Sequence, residues 1–302
     1  EGLGNALANR VNPRAGAGDG PALLVGRALG EHVRPMVTVL DTIGSKRTGA
    51  ARHPEKAARP DTPVLRKPDW IRVRAPVSRG YLETREIVKS HGLVTVCEEA
   101  GCANLSECWS DATATFMING ERCTRACGFC LVDTRRPEPL DVGEPERVAE
   151  AVQRMGLDFA VITMVARDDL PDGGAAHVAE TIRAIRDRRP GTRVEALISD
   201  LRGDPDSIAT VLDARPDVLN HNIETVARLQ RAVRPSASYA RSLAVLSRSV
   251  RSGLTTKSGL VLGMGETEDE VVATLADLAA VGVSIVTIGQ YLRPTSHHLP
   301  VA

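Results

Sequence analysis

All six cysteines of this chain lie between Cys97 and Cys130, in two ordered triplets. Cys97, Cys102 and Cys108 are spaced C-x4-C-x5-C, and Cys123, Cys127 and Cys130 are spaced C-x3-C-x2-C. Three thiolates per triplet is what an iron-sulfur cluster takes from a protein when one iron is left for another ligand, and chemistry can happen at that open iron. Disulfides compete poorly, because they belong to oxidising compartments and mostly to small secreted domains. This chain has 302 residues and no charged n-region with an apolar h-region at its start. Closed zinc sites want four ligands, usually in C-x2-4-C pairs, and a triplet with x3 then x2 has the wrong shape.

Loops that carry such ligands need a scaffold, and from residue 113 the chain alternates strand and helix patterns. Strands are expected over residues 114–118, 159–165, 194–198, 217–219, 255–262 and 283–288. Helical regions are expected over 144–155, 175–188, 205–213, 225–233 with 239–251, and 268–280. Parallel βα units in this order predict an α/β fold, an open (β/α)6 barrel of the TIM type whose last helix is missing. The chemical face of such a barrel is built by the loops that follow the strands. The second triplet falls there, after the first strand.

Three further loops fall on that face. Asp172, Gly173 and Gly174 follow the second strand, Asn222 and Glu224 the fourth, and Gly263 to Glu266 the fifth. Asn222 and Glu224 are one strand pitch apart on one face, which suits two neighbouring hydroxyls, and glycines allow close backbone approach to a flat ring. Each motif alone is also an ordinary turn or cap, and it is their placement after successive strands that favours a binding role. His221, His297 and His298 read better as hydrogen-bonding or surface residues than as metal ligands.

Lys plus Arg and Asp plus Glu balance at 38 each, so neither nucleic acid nor an acidic membrane surface is expected as a partner. No apolar run approaches the length that spans a bilayer, which predicts a soluble, cytoplasmic protein. Residues 1–60, rich in Gly, Ala, Pro and Arg, read as a disordered or poorly packed extension. Residues 61–112 read as an N-terminal arm with the first triplet, including a short helix over 83–89, and 113–302 as the barrel. Glu1 and Ala302 do not look like natural termini.

The loop Cys123-Thr124-Arg125-Ala126-Cys127-Gly128-Phe129-Cys130 resembles the C-x3-C-x-aromatic-C signature of the radical S-adenosylmethionine superfamily. The resemblance implies a [4Fe-4S] cluster on Cys123, Cys127 and Cys130 whose free iron chelates S-adenosylmethionine. It implies cofactor contacts at Phe129, Asp172, Gly173, Gly174, Asn222, Glu224, Gly263 and Glu266. The first triplet, within Cys97-Glu98-Glu99-Ala100-Gly101-Cys102-Ala103-Asn104-Leu105-Ser106-Glu107-Cys108-Trp109, resembles the hallmark of lipoyl synthases. Similarity to that family runs from about Trp70 to Ala302, through Arg167-Asp168-Asp169, Asn220-His221-Asn222, Lys257-Ser258-Gly259 and Thr287-Ile288-Gly289-Gln290-Tyr291.

What this resemblance implies is a radical sulfurtransferase. Two sulfurs would enter at C6 and C8 of an octanoyl chain amide-linked to a lysine, donated by an auxiliary [4Fe-4S] cluster on Cys97, Cys102 and Cys108. The implied partners are an octanoylated lipoyl carrier domain or the glycine-cleavage H protein, with an electron donor such as ferredoxin or flavodoxin. The chain departs from the family at Ala103 and Ser199, where proline is usual, and it has no Arg-Ser-Ser-Tyr motif, whose serine is the family's fourth auxiliary ligand. Ser296 is a poor substitute for that serine. Two alternatives therefore stand beside the leading reading: another sulfur-inserting enzyme resembling biotin synthase, and a fragment that binds clusters without catalysing.

Overall fold

The structure, a computed structural model, describes residues 52–54, 56, 62–64 and 78–302. Contacts divide the chain into Glu1–Asp41, which lies outside the described residues, and Thr42–Ala302, to which everything below belongs. Most of the N-terminal extension and the arm around Trp70 likewise lie outside the described residues.

The continuously described stretch opens with α1 (Arg79–Ser90), longer than the 83–89 helix expected, because Ser78 caps it by accepting the Tyr81 N–H at 3.1 Å. A two-residue strand β1 (Val94–Thr95) and the short helices α2 (Val96–Glu99) and α3 (Leu105–Ser110) follow, none of them long enough to show a sequence period. The repeating units are β2 (Thr115–Ile118), α4 (Glu144–Met155), β3 (Phe159–Met164), α5 (Ala175–Arg188), β4 (Arg193–Leu197), α6 (Pro205–Asp213) and β5 (Val218–Asn220). After α7 (Gln230–Val233) and α8 (Tyr239–Arg251) come β6 (Thr255–Leu262), α9 (Glu268–Ala280) and β7 (Ile285–Gln290). The helix expected over 225–233 is instead a 3-10 turn, Ala227–Leu229, and the four residues of α7.

The seven strands lie in chain order in one sheet. β1 is antiparallel to β2, and β2 through β7 are all parallel, so the sheet is an open partial barrel of five βα units and a sixth parallel strand. Local chemistry sets the helix ends. Pro145 and two glutamates start α4, and Gly156 at φ 65° stops it. Thr267 and Glu270 form a capping box on α9.

The main core joins the outward faces of β2 to β5 to α4, α5 and α6, through Phe116, Ile118, Ile162, Ile182, Ile185, Val194, Leu219 and Ile208. A smaller cluster of Ile223, Leu246, Leu260 and Leu278 seats α8 and α9 on β6. Burial of these apolar faces holds the strand ends, and hence the loops beyond them, in place. β7 is the far edge, and all six of its residues are exposed. No helix among the described residues is long and apolar enough to cross a membrane.

Candidate active site

The loop from Cys123 to Cys130 leaves β2 and is pinned at four points. The Cys123 N–H donates to the Asp133 carbonyl at 2.8 Å and the Thr124 N–H to Ala166 at the exit of β3 at 3.0 Å. The Gly128 N–H reaches Val233 on α7 at 2.7 Å, and Leu299 N–H donates back to the Gly128 carbonyl at 3.1 Å. A Cβ on Gly128 would lie 2.5 Å from the Leu299 side chain, which would have to move to admit it. The three thiols share one electrostatic environment. Burial and the neighbouring Cys130 push Cys127 up to about 12, and burial pushes Cys130 up to about 11 with Cys123 adding to the rise. A ligand set of this kind holds its protons until a metal displaces them, and it fits three irons of a cluster.

The first triplet is assembled by α2 and α3. Cys97 is buried within α2, Cys102 is exposed and donates its N–H to the Cys97 carbonyl at 3.0 Å, and Cys108 is partly buried in α3. Burial raises the Cys108 thiol, and Cys97 and Cys102 raise it further, so the three stand within range of one another. The two triplet segments meet. A Cβ on Gly101 would be 3.5 Å from Leu131, and Arg52 pairs with both Glu99 of α2 and Asp133 beyond the second triplet. Among the described residues no three His, Cys, Asp or Glu side chains converge on a single point as ligands of one metal ion do. Thiolates around a four-iron cluster bind different irons and need not converge.

Behind the second triplet lies a buried charge network that the residue spacings did not reveal. Arg125, between Cys123 and Cys127, is 6% exposed. It donates to Asp168 at 2.7 and 2.8 Å and pairs with Asp200 at 2.6 Å, tying the cysteine loop to the loops after β3 and β4. Asp200 is fully buried and also meets Arg241 at 3.2 Å. Burial alone would raise its pKa, but the Arg125 hydrogen bond and charge outweigh that and hold it below the usual carboxylate range. His221 is a hydrogen-bonding residue, with Nδ1 2.9 Å from the Ile198 carbonyl and Nε2 2.9 Å from the Ser242 hydroxyl. Burial and then Arg234 lower it to about 4, so it is neutral. His298 lies 2.9 Å from the Cys130 carbonyl, where the buried Lys56 also donates at 2.6 Å.

The other sequence-selected residues fall at the same end of the barrel. Gly173 and Gly174 have φ of 64° and 87°, which glycine alone adopts freely. Asp172 shapes this turn by accepting the Gly174 and Ala176 N–H groups at 2.9 Å each. Asn119, itself at φ 69°, closes it from the β2 side with a 3.3 Å donation to the Gly174 carbonyl. Its own N–H goes to Glu144, which also meets His177 at 2.7 Å.

Glu224 also has positive φ, 66°, and burial raises its pKa against the opposing pull of Arg234 and Asn222. The Asn222 Oδ1 is buried with no hydrogen-bond partner, an acceptor free for a ligand hydroxyl. Gly263 and Gly265, at φ 110° and 104°, open a cradle whose shape Glu266 maintains by accepting the Gly263 and Met264 N–H groups. Glu266 is thus occupied by its own loop. Phe129 packs with Val233, Met264 and Tyr291.

A family model described as the radical SAM superfamily matches residues 117–278, just over half of the chain. Among solved structures, Streptococcus suis SuiB bound to S-adenosylmethionine is similar at 9% identity and a TM-score of 0.50, over 74% of this chain and 49% of that one. SuiB bound to its precursor peptide SuiA is similar at 8% identity and a TM-score of 0.50, over 87% and 55%. Methylornithine synthase matches at 15% identity and a TM-score of 0.49, over 60% and 54%. The chain spans about half the length of these structures.

Proposed function

The chain belongs to the radical SAM superfamily, and from that premise we propose that it is a lipoyl synthase, placing two sulfurs at C6 and C8 of an octanoyl chain carried on a lysine of a protein. The observation that carries this reading is the first triplet, with Cys97 on α2, Cys108 on α3 and Cys102 in the turn between them, beside the loop of the second. A superfamily enzyme needs one cluster, and a second set of thiolates beside it suits a source of sulfide.

Cys123, Cys127 and Cys130 would hold the first cluster and leave one iron for S-adenosylmethionine. The Gly173–Gly174 turn, the Asn222 carboxamide, Glu224 and the Gly263–Gly265 cradle would bind the rest of that cofactor. When bound, cluster and cofactor supply one-electron chemistry able to remove hydrogen from an unactivated carbon. The chain's own part is to orient. Arg125 fixes the cysteine loop against Asp168 and Asp200, and Asn119 and Asp172 fix the glycine turn. The partners this reading requires are an octanoylated lipoyl carrier domain or glycine-cleavage H protein, and a small electron donor such as ferredoxin or flavodoxin.

Anaerobic reconstitution with iron and sulfide tests the carrying observation. Two clusters, about eight irons per chain, are expected, falling to about four in Cys97→Ala and in Cys123→Ala. A wild-type chain that retains a single cluster would remove the basis for sulfur insertion.

A further inference from the structure

Below the Asn222 level, the barrel lumen holds a polar group that none of the roles above uses. Asn220 on β5 and Lys257 on β6 are paired in register, and Glu195 on β4 lies diagonally from them, two residues before Leu197, the β4 partner of Asn220. Alternation puts all three on the face opposite Val194, Ala196 and Leu219, which pack outward in the main core, and opposite Thr256, which bonds Ser249 of α8. The Lys257 ammonium reaches the Glu195 carboxylate at 2.9 and 3.1 Å, and the Asn220 Nδ2 donates to the same carboxylate at 2.8 Å. That bond fixes the orientation of the carboxamide, yet its other end, Asn220 Oδ1, is buried without a partner although the residue is only 5% exposed. An unmet buried acceptor is costly, and a purely structural tie between strands would not need one.

We propose that Asn220 and Lys257, with Glu195 behind them, form a binding site for a secondary amide, the one joining an acyl chain to a lysine; this rests on the function proposed above. Lys257 donates to the amide carbonyl and Asn220 Oδ1 accepts from the amide N–H. The Glu195 carboxylate already balances the ammonium, so a ligand of either charge meets a like charge, while a neutral group that both donates and accepts meets neither. Beside this group on β7, Ile285 and Thr287, paired in register with Lys257 and Gly259, are exposed.

The spacing matches the reaction. A Cβ on Gly259, two residues beyond Lys257, would lie 2.7 Å from Asn222 Oδ1, so the proposed cofactor shelf is one strand repeat above the amide site. Two residues of strand rise about 6.6 Å. An extended acyl chain, with C–C bonds of about 1.5 Å, advances about 6 Å from its carbonyl carbon to C6. An amide held by Lys257 and Asn220 therefore delivers C6 to the Asn222 level.

The test measures binding by fluorescence anisotropy, anaerobically, on cluster-loaded protein with S-adenosylmethionine present. One labelled peptide carries Nε-octanoyl-lysine, and its twin has oxygen in place of the amide nitrogen. Wild type should bind the amide about tenfold tighter than the ester, because the ester leaves Asn220 Oδ1 unmet. Asn220→Leu should bring the two within about twofold of each other. Lys257→Met should weaken both about tenfold, since both keep the carbonyl. S-adenosylmethionine affinity should stay within about twofold in either variant, which a misfolded barrel could not deliver. Equal affinity of wild type for amide and ester, in protein that still inserts sulfur, overturns the site alone. Failure of wild type to bind either peptide overturns the site together with the function on which it rests.

Discussion

Replacing Arg125 by Met probes how the cysteine loop is held. The guanidinium satisfies two carboxylates that differ in burial: the Asp168 side chain is 27% exposed and the Asp200 side chain is fully buried. Losing the first pair costs up to about 1 kcal/mol, because water replaces it. Stranding a buried charge costs about 3–5 kcal/mol. Asp200 keeps Arg241 at 3.2 Å and the Arg202 N–H at 3.0 Å, so the lower end applies and the two losses together come to about 3–4 kcal/mol.

The pH dependence has a definite sign. In wild type Asp200 lies below the usual carboxylate range, so its contribution is present above its unfolded pKa of about 3.9 and is lost as pH falls below that. Without Arg125 burial dominates and its pKa rises, so the variant regains stability relative to wild type as pH falls from 7 toward 5. Urea unfolding of the apo proteins at both pH values measures this, with Arg125→Met/Asp200→Asn closing a double-mutant cycle. The double variant should recover about 2 kcal/mol of the loss, because a carboxamide carries no charge to strand. A cost below about 1 kcal/mol at pH 7, or a gap that does not narrow at pH 5, refutes the reasoning.

Gly174→Ala, at φ 87° with Asn119 where the Cβ must go, should cost about 2–4 kcal/mol in thermal unfolding and abolish calorimetric binding of S-adenosylmethionine. Gly156→Ala, at φ 65° but in open space, should cost only about 1 kcal/mol. His221 is lowered to about 4 by burial and Arg234, so its stabilisation is lost as pH falls below its unfolded pKa of about 6.5. Between pH 7 and pH 4.5 wild type should therefore lose about 2.5 kcal/mol more than His221→Gln, read from paired urea titrations.

The strand and helix alternation from residue 113 onward was legible because each strand is a short apolar run and each helix carries its own start and stop signals, such as Pro145 before α4 and the Thr267–Glu270 box before α9. Strand ends shifted by one or two residues, as β7 did from 283–288 to Ile285–Gln290, since pairing with β6 and not local propensity decides where a ladder begins. The cysteines, the glycine turn and the Asn222 segment stood out in the sequence as candidates because their residue types recur at short spacings within single loops.

Arg125, Asp168 and Asp200 were not. Their partnership spans three loops, and a lone arginine between two cysteines has no spacing signal. The one hint was Asp200 two residues after the mostly buried Val194–Ile198 run, where an unpaired carboxylate would be costly. The Glu195–Asn220–Lys257 group was hidden for the same reason, since register across three strands, invisible in any one of them, brings it together.

The most direct test of the account is an anaerobic assay that offers a peptide carrying Nε-octanoyl-lysine and dethiobiotin together to the cluster-loaded protein, with S-adenosylmethionine and a reductant, read by mass spectrometry. The account predicts that the octanoyl peptide alone gains two sulfurs in place of two hydrogens, and that Cys97→Ala abolishes the gain while keeping the cluster on Cys123, Cys127 and Cys130. Sulfur entering dethiobiotin instead, or entering the octanoyl peptide unimpaired in Cys97→Ala, would contradict it.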